Sequence, residues 1–141
     1  MTEHKGQCFC GTVKFTVSGA PEVMGYCHCE SCRAWSAGPV NGFVLWKPDA
    51  VKVTAGADQL KSYAKTPTSE RQFCIQCGGH VMTVHPTFGV NDVFAAVLPT
   101  LDFKPALHVN YAETVLRMKD GLPKFKDFPE PFGGSGEMLP E

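Results

Sequence analysis

The sequence predicts a mainly β protein, short-stranded and rich in turns, folded around cysteines placed as metal ligands. Three observations predict it. Val13, Phe15 and Val17 alternate with Thr12, Lys14 and Thr16, the period of a half-buried strand. Eleven prolines and 14 glycines punctuate 141 residues, and no long run has the 3.6-residue period of an amphipathic helix. The seven cysteines fall in three tight groups: C-x-C at Cys8 and Cys10, C-x-C-x-x-C at Cys27, Cys29 and Cys32, and C-x-x-C at Cys74 and Cys77.

Taken in order, the strand through Val13 and Val17 follows directly from Cys10-Gly11, so the first cysteine pair sits at a strand's entry. After Pro21, Glu22 to Tyr26 leads as a second short strand into the cysteine triplet. Asn41 to Trp46 reads as a third, stopped by Lys47-Pro48. Val51 to Thr54, and Arg71 to Phe73 running into Cys74, read as two more. Gly78-Gly79 supplies the permissive φ that a turn needs after its last ligand, and His80 to Val84 returns as a strand, which places Cys74 and Cys77 at a hairpin-like turn. Val93 to Leu98 is the most apolar run and reads as a central strand. The segment after Cys29 through Arg33 and Trp35, and the stretch Leu60 to Lys65, read as helical. Prolines and glycines break every period from Pro129 onward, which predicts a single domain over residues 1–129 and a loosely held tail over 130–141.

Composition excludes several classes. An apolar share of 43% is enough for one core, and 13 basic against 14 acidic residues leave a formal charge of −1, without the basic excess of a nucleic-acid partner. No apolar run approaches the roughly 18 residues of a membrane span. An odd cysteine count, cysteines one residue apart that cannot readily reach disulfide geometry, and a start with no secretion signal all favour free thiols in a reducing, cytoplasmic compartment.

Free cysteines at this spacing are metal ligands. A C-x-C or C-x-x-C pair lets one short loop aim two thiolates at one point, and two such pairs close a tetrahedral site. If the two pairs form a four-cysteine site, the triplet is left as a second site with three protein ligands and an open fourth position, the arrangement of a metal that meets substrate or water. All-thiolate ligation excludes Mg and Ca and favours zinc, with iron as the alternative.

Gly6-Gln7-Cys8-Phe9-Cys10-Gly11 before a Val-x-Phe strand, Cys27-His28-Cys29-x-x-Cys32-Arg33, and Arg71-x-Phe73-Cys74-x-x-Cys77-Gly78 together resemble the glutathione-dependent formaldehyde-activating enzyme family, relatives of the centromere protein V group. Thr100-Leu101-Asp102, His108 and Asp120-Gly121-Leu122-Pro123-x-Phe125 extend the resemblance beyond the cysteines. It implies a β-tent fold and two zinc ions per chain: a structural one on Cys8, Cys10, Cys74 and Cys77, and a second on Cys27, Cys29 and Cys32. It also implies a carbon–sulfur lyase class, with S-hydroxymethylglutathione as the name-giving substrate. Trp35, where the family often has a smaller residue, and Ala112 to Val115, which lacks a tryptophan common in the family, are departures that bear on what fills the pocket and not on a metal ligand.

Thiol chemistry at the triplet also follows from the residues. Zinc held by three thiolates carries a net negative charge, so it is a weak Lewis acid towards water but takes a fourth, soft thiolate well. A glutathione-like thiol fits that vacancy. A proton donor is needed for the aldehyde oxygen; His28, His80 and His108 are candidates by type, and His28 stands out because it lies inside the ligand loop, where it can brace a ligand. Arg33 can receive a substrate carboxylate or brace the loop, Arg71 reads first as a brace, and Trp35, Phe43 and Trp46 are core or pocket wall. Two classes of function remain: an enzyme of thiol–aldehyde adducts, and a non-catalytic zinc module that carries a thiol.

Overall fold

A computed structural model describes all of residues 1–141. The strands, in chain order, are β1 (Glu3–Gln7), β2 (Lys14–Ser18), β3 (Val23–Cys27), β4 (Asn41–Trp46), β5 (Val51–Ala55), β6 (Leu60–Thr66), β7 (Ser69–Cys74), β8 (His80–His85), β9 (Val90–Asp92) and β10 (His108–Val109), with one α-helix, α1 (Glu30–Ser36). The protein is therefore mainly β, as the alternating runs require. The chain divides into two units, Met1–Glu22 with Val44–Phe103, and Val23–Phe43 with Lys104–Glu141.

In the first unit β1, β2 and β5 form an antiparallel sheet with β2 central. Its inward positions Val13, Phe15 and Val17 are all but inaccessible. The polar strand β1, which carries no alternation, is fixed by a close approach: a Cβ on Gly6 would lie 2.3 Å from Cζ of Phe15, so the Phe15 ring lies against bare backbone. β6, β7, β8 and β9 form an antiparallel meander, and the last residues of β4 pair with β9 at Leu45↔Asp92 and Trp46↔Asn91. Trp46, Val81 and Val93 are fully buried in this unit.

Two expectations fail here. Leu60 to Lys65 is strand β6 and not helix; from Lys61 to Thr66 it is exposed on both faces, so burial left no alternation to read, and pairing with β7 decides its conformation. Val93 to Leu98 is not a strand. β9 ends at Asp92, and the chain turns through a 3-10 segment, Ala95–Val97, closed by Leu98 N–H donating to the Ala95 carbonyl at 3.0 Å. Its apolar side chains Val93 and Leu98 are buried at a corner.

In the second unit β3 and β10 pair in parallel, His108 beside Tyr26 and Val109 beside Cys27. A Cβ on Gly25 would meet the Leu107 carbonyl and the Phe43 ring at 2.7 Å, so β3 carries glycine where β10's approach and Phe43 converge. On leaving β3 the chain forms the cysteine loop and then α1. His108 also bonds the 120–125 turn, donating its N–H to the Pro123 carbonyl at 2.8 Å and accepting from Phe125 N–H at 2.9 Å. The segment read as a loosely held tail makes its own backbone bonds: Lys126 N–H to Glu137 O and Leu139 N–H to Lys124 O, both 2.8 Å, and Gly136 N–H to Phe128 O at 3.0 Å. No helix is long and apolar enough to cross a membrane.

Candidate functional site

The first unit gathers Cys8, Cys10, Cys74 and Cys77, with every sulfur within 4.8 Å of the others. Cys8 and Cys10 come from the β1–β2 connection, Cys74 ends β7, and Cys77 lies in the turn to β8. That turn closes through Gly78, whose φ of +72° is left-handed and whose N–H donates to the Cys74 carbonyl at 2.7 Å. Backbone N–H groups of Val13, Gln76 and Gly79 point at the sulfurs of Cys8, Cys74 and Cys77, each at 3.3 Å. Such donors stabilise anionic sulfur, so the donor set fits a thiophilic cation. The thiols are unequal: the Thr12 hydroxyl draws Cys10 down to about 6, while burial pushes Cys74 up to about 11.

The second unit gathers Cys27, Cys29 and Cys32, again within 4.8 Å of one another. Cys27 ends β3, Cys32 lies in the first turn of α1, and Cys29 is that helix's N-cap, its sulfur accepting from Cys32 N–H at 3.2 Å. Asn110 Nδ2 donates to the Cys27 sulfur at 3.7 Å. Crowding by the Cys29 and Cys32 thiols pushes Cys27 well up from an ordinary thiol. All seven cysteines are free, so neither group is a disulfide cluster.

His28 is buried completely between two of these cysteines. Its Nε2 lies 2.8 Å from Nδ1 of His108, and its Nδ1 lies 2.8 Å from the Thr114 hydroxyl. Nε2 of His108 lies 2.7 Å from Asp120 Oδ2, and the buried Lys124 ammonium donates to Asp120 Oδ1 and, at 2.8 Å, to Glu141 Oε2. Burial, with the neighbouring His108 and Lys124, holds the His28 imidazole down to about 4, so it is neutral at pH 7. Burial alone would raise the Asp120 carboxyl, yet its bonds to Lys124 and His108 hold it far below the usual carboxylate range.

Of the other residues singled out by sequence, Arg33 places Nε on the His28 carbonyl at 3.1 Å and so braces the cysteine loop. Trp35 is half-buried on α1. Arg71 is buried, with Nη1 on the Thr83 hydroxyl at 3.4 Å. His80 lies in the first unit, stacked on Phe94 with centroids 4.2 Å apart. Phe43 and Trp46 are core. Sequence reasoning named His28 and His108 without joining them, and it missed Asp120, Lys124 and Thr114 as their partners; a separation of 80 positions between the two histidines leaves no local signal.

The fold and site define a mainly β chain with one four-thiol and one three-thiol cluster, each able to hold a metal ion. The chain belongs to the glutathione-dependent formaldehyde-activating enzyme family, whose model matches residues 3–113. It is 30% identical over 78 residues to an uncharacterised lyase of Schizosaccharomyces pombe, covering 55% of each chain. It is 29% identical over 98 residues to a Pyrenophora teres f. teres protein named provisionally as a glutathione-dependent formaldehyde-activating enzyme, covering 65% of this chain and 52% of that one. The chain thus spans about half the length of the curated relatives it matches. A Rhodobacter sphaeroides protein of known crystal structure shares the fold, with a TM-score of 0.56 and 24% identity over 70% of this chain and 90% of that one.

Proposed function

We propose that the protein is a zinc-dependent carbon–sulfur lyase that makes and breaks the bond between a glutathione-like thiol and an aldehyde, S-hydroxymethylglutathione being the type substrate. Cys27, Cys29 and Cys32 form the working centre, while Cys8, Cys10, Cys74 and Cys77 hold a structural zinc, giving two zinc ions per chain. The observation that carries this reading is the partition of the sulfurs into a four and a three. Four thiolates complete a tetrahedron by themselves, whereas three leave one position for an incoming ligand. Zinc at the triplet would supply a soft cation to hold a substrate sulfur as thiolate near neutral pH.

The chain's own residues do the rest. The N–H of Cys32 and the amide of Asn110 fix the sulfurs of Cys29 and Cys27. Arg33, held at the loop by the His28 carbonyl, brings a cation that suits a glutathione carboxylate, and Trp35 lies on the same helix. The names of the relatives support a thiol–aldehyde substrate.

Formaldehyde and thiols combine in water unaided, so the test is a rate. Formation and cleavage of the glutathione–formaldehyde adduct should exceed the buffer background, and Cys29→Ser should return the rate to background. Saturable glutathione binding with no rate effect would make the protein a thiol carrier, and neither binding nor rate would overturn the reading.

A further inference from the structure

The β1–β2–β5 sheet buries Phe15 and Val17 on one face and gathers positive charge on the other. Lys5 and Gln7 of β1, Lys14 and Thr16 of β2, and Lys52 of β5 share that second face, because side chains alternate along each strand and directly paired residues point the same way. The register sets Lys5 beside Thr16 and Thr16 beside Lys52, so two lysines flank one threonine on adjacent strands. Lys14 lies two residues from Thr16 on the central strand, opposite Gln7. With strands about 4.8 Å apart and a rise of about 3.4 Å per residue, Lys5 and Lys52 stand roughly 10 Å apart at the backbone, with Lys14 roughly 7 Å along from their midpoint. Flexible four-carbon stems let three ammoniums in such a triangle meet over one point.

That face is a wall of a groove of about 1030 Å³ within the first unit, lined by Lys5, Lys14 and Lys52 with Glu3 as its one carboxylate. The three lysines are exposed and none is paired with a carboxylate; Lys14 Nζ donates instead to Gln7 Oε1 at 3.0 Å. Like charges gathered on one sheet face repel one another, and a bound anion relieves that repulsion. Hydroxyl donors stand among them. Thr16 lines the groove, and so does Thr54, the extra residue of β5 where the register shifts between Lys14 and Phe15. Phe9, 91% exposed, lines it too, while none of the seven cysteines does.

We propose that this groove binds a small aromatic phosphomonoester, its phosphate on Lys5, Lys14 and Lys52 and its ring against Phe9. The donor set selects phosphate over carboxylate. Three point-charge donors match the three terminal oxygens of a phosphomonoester, whereas the two coplanar oxygens of a carboxylate suit the fork of an arginine, which the groove lacks. A ring laid on Phe9 removes apolar surface from water that the protein alone leaves exposed. The site is separate from both sulfur clusters and does not depend on the thiol–aldehyde reading.

Phenyl phosphate is the probe, titrated at low salt into the zinc-loaded protein and followed by calorimetry. It should bind saturably, and more weakly as salt rises. Lys5→Gln combined with Lys52→Gln should weaken it at least about tenfold, the effect of losing charge-assisted bonds. Phe9→Ala should weaken phenyl phosphate about threefold and leave inorganic phosphate unchanged. Lys119→Gln, at an exposed lysine of the other unit, should change neither. All these positions are exposed, so thermal melts of the variants should match wild type. Glutathione, which has carboxylates and no phosphate, should not displace the probe. Absence of saturable binding, binding that survives the double lysine variant, an equal loss in Lys119→Gln, or displacement by glutathione would each overturn the proposal. An unchanged affinity for phenyl phosphate in Phe9→Ala would overturn the aromatic part of the ligand class.

Discussion

Replacing Cys74 by serine should cost the first unit its fold, whereas replacing Cys29 should not cost the second unit its own. Cys74 is fully buried at the end of β7, and its sulfur converges with those of Cys8 and Cys10 from the β1–β2 connection, so the four-cysteine site ties two distant chain segments together. A structural zinc in finger peptides is worth roughly 10–16 kcal/mol of folding free energy, against a total stability of about 5–15 kcal/mol for a typical domain. Even a loss of about 5 kcal/mol, at about 4 °C per kcal/mol, lowers Tm by roughly 20 °C. Serine at position 29 has a different consequence. Cys29 caps α1 through its side chain, and serine is a preferred N-cap, so the Cys32 N–H keeps an acceptor. Excluding metal loss, Cys29→Ser should stay within about 1 kcal/mol of wild type. Thermal melts with zinc analysis on the same samples decide: Cys74→Ser should be insoluble or melt far below wild type, and Cys29→Ser should be folded with one zinc. If the Cys29 variant unfolds as fully as the Cys74 variant, the triplet is a structural site and the open-position argument fails.

Native mass spectrometry of the wild-type protein should find two zinc ions per chain, since each cluster gathers its own sulfurs; a single ion would contradict the partition. Acid should weaken the first unit through His80, which burial, aided by Arg71, holds down to about 4. Unfolded, the imidazole takes up a proton below about 6.5, so between 6.5 and 4 the unfolded state binds more protons and stability falls as pH drops. At pH 5 the ceiling on this contribution is about 2 kcal/mol. Denaturant unfolding at pH 7 and pH 5 should show a smaller loss in His80→Gln than in wild type, and equal losses would refute the assignment.

The cysteine clusters were legible because ligand spacing is a local property: C-x-C and C-x-x-C loops aim their sulfurs whatever surrounds them, and the four sulfurs of Cys8, Cys10, Cys74 and Cys77 lie within 4.8 Å of one another as that spacing predicts. The strand through Val13 and Val17 was legible for the same reason, one buried face imposing a period of two. β6 was not, since its two exposed faces impose no period and its conformation comes from pairing with β7. The Val93–Leu98 run shows the converse: burial made it apolar, but small Ala95 and Ala96 let it close a 3-10 turn. The file through His28, His108 and Asp120 was illegible because it depends on β10 pairing with β3 and on the 120–125 turn bonding His108, both long-range events.

The central claim is an open thiol position at Cys27, Cys29 and Cys32, and cobalt reads it most directly. In protein loaded with Co²⁺ in place of zinc, the visible ligand-field bands report the number of coordinating sulfurs. Titration with glutathione should shift those bands saturably, more tightly as pH rises towards the thiol's own ionisation because coordination releases its proton. S-methylglutathione, which cannot supply a thiolate, should leave the spectrum unchanged, as should glutathione added to Cys29→Ser. Equal responses to both ligands, or none to either, would contradict the account.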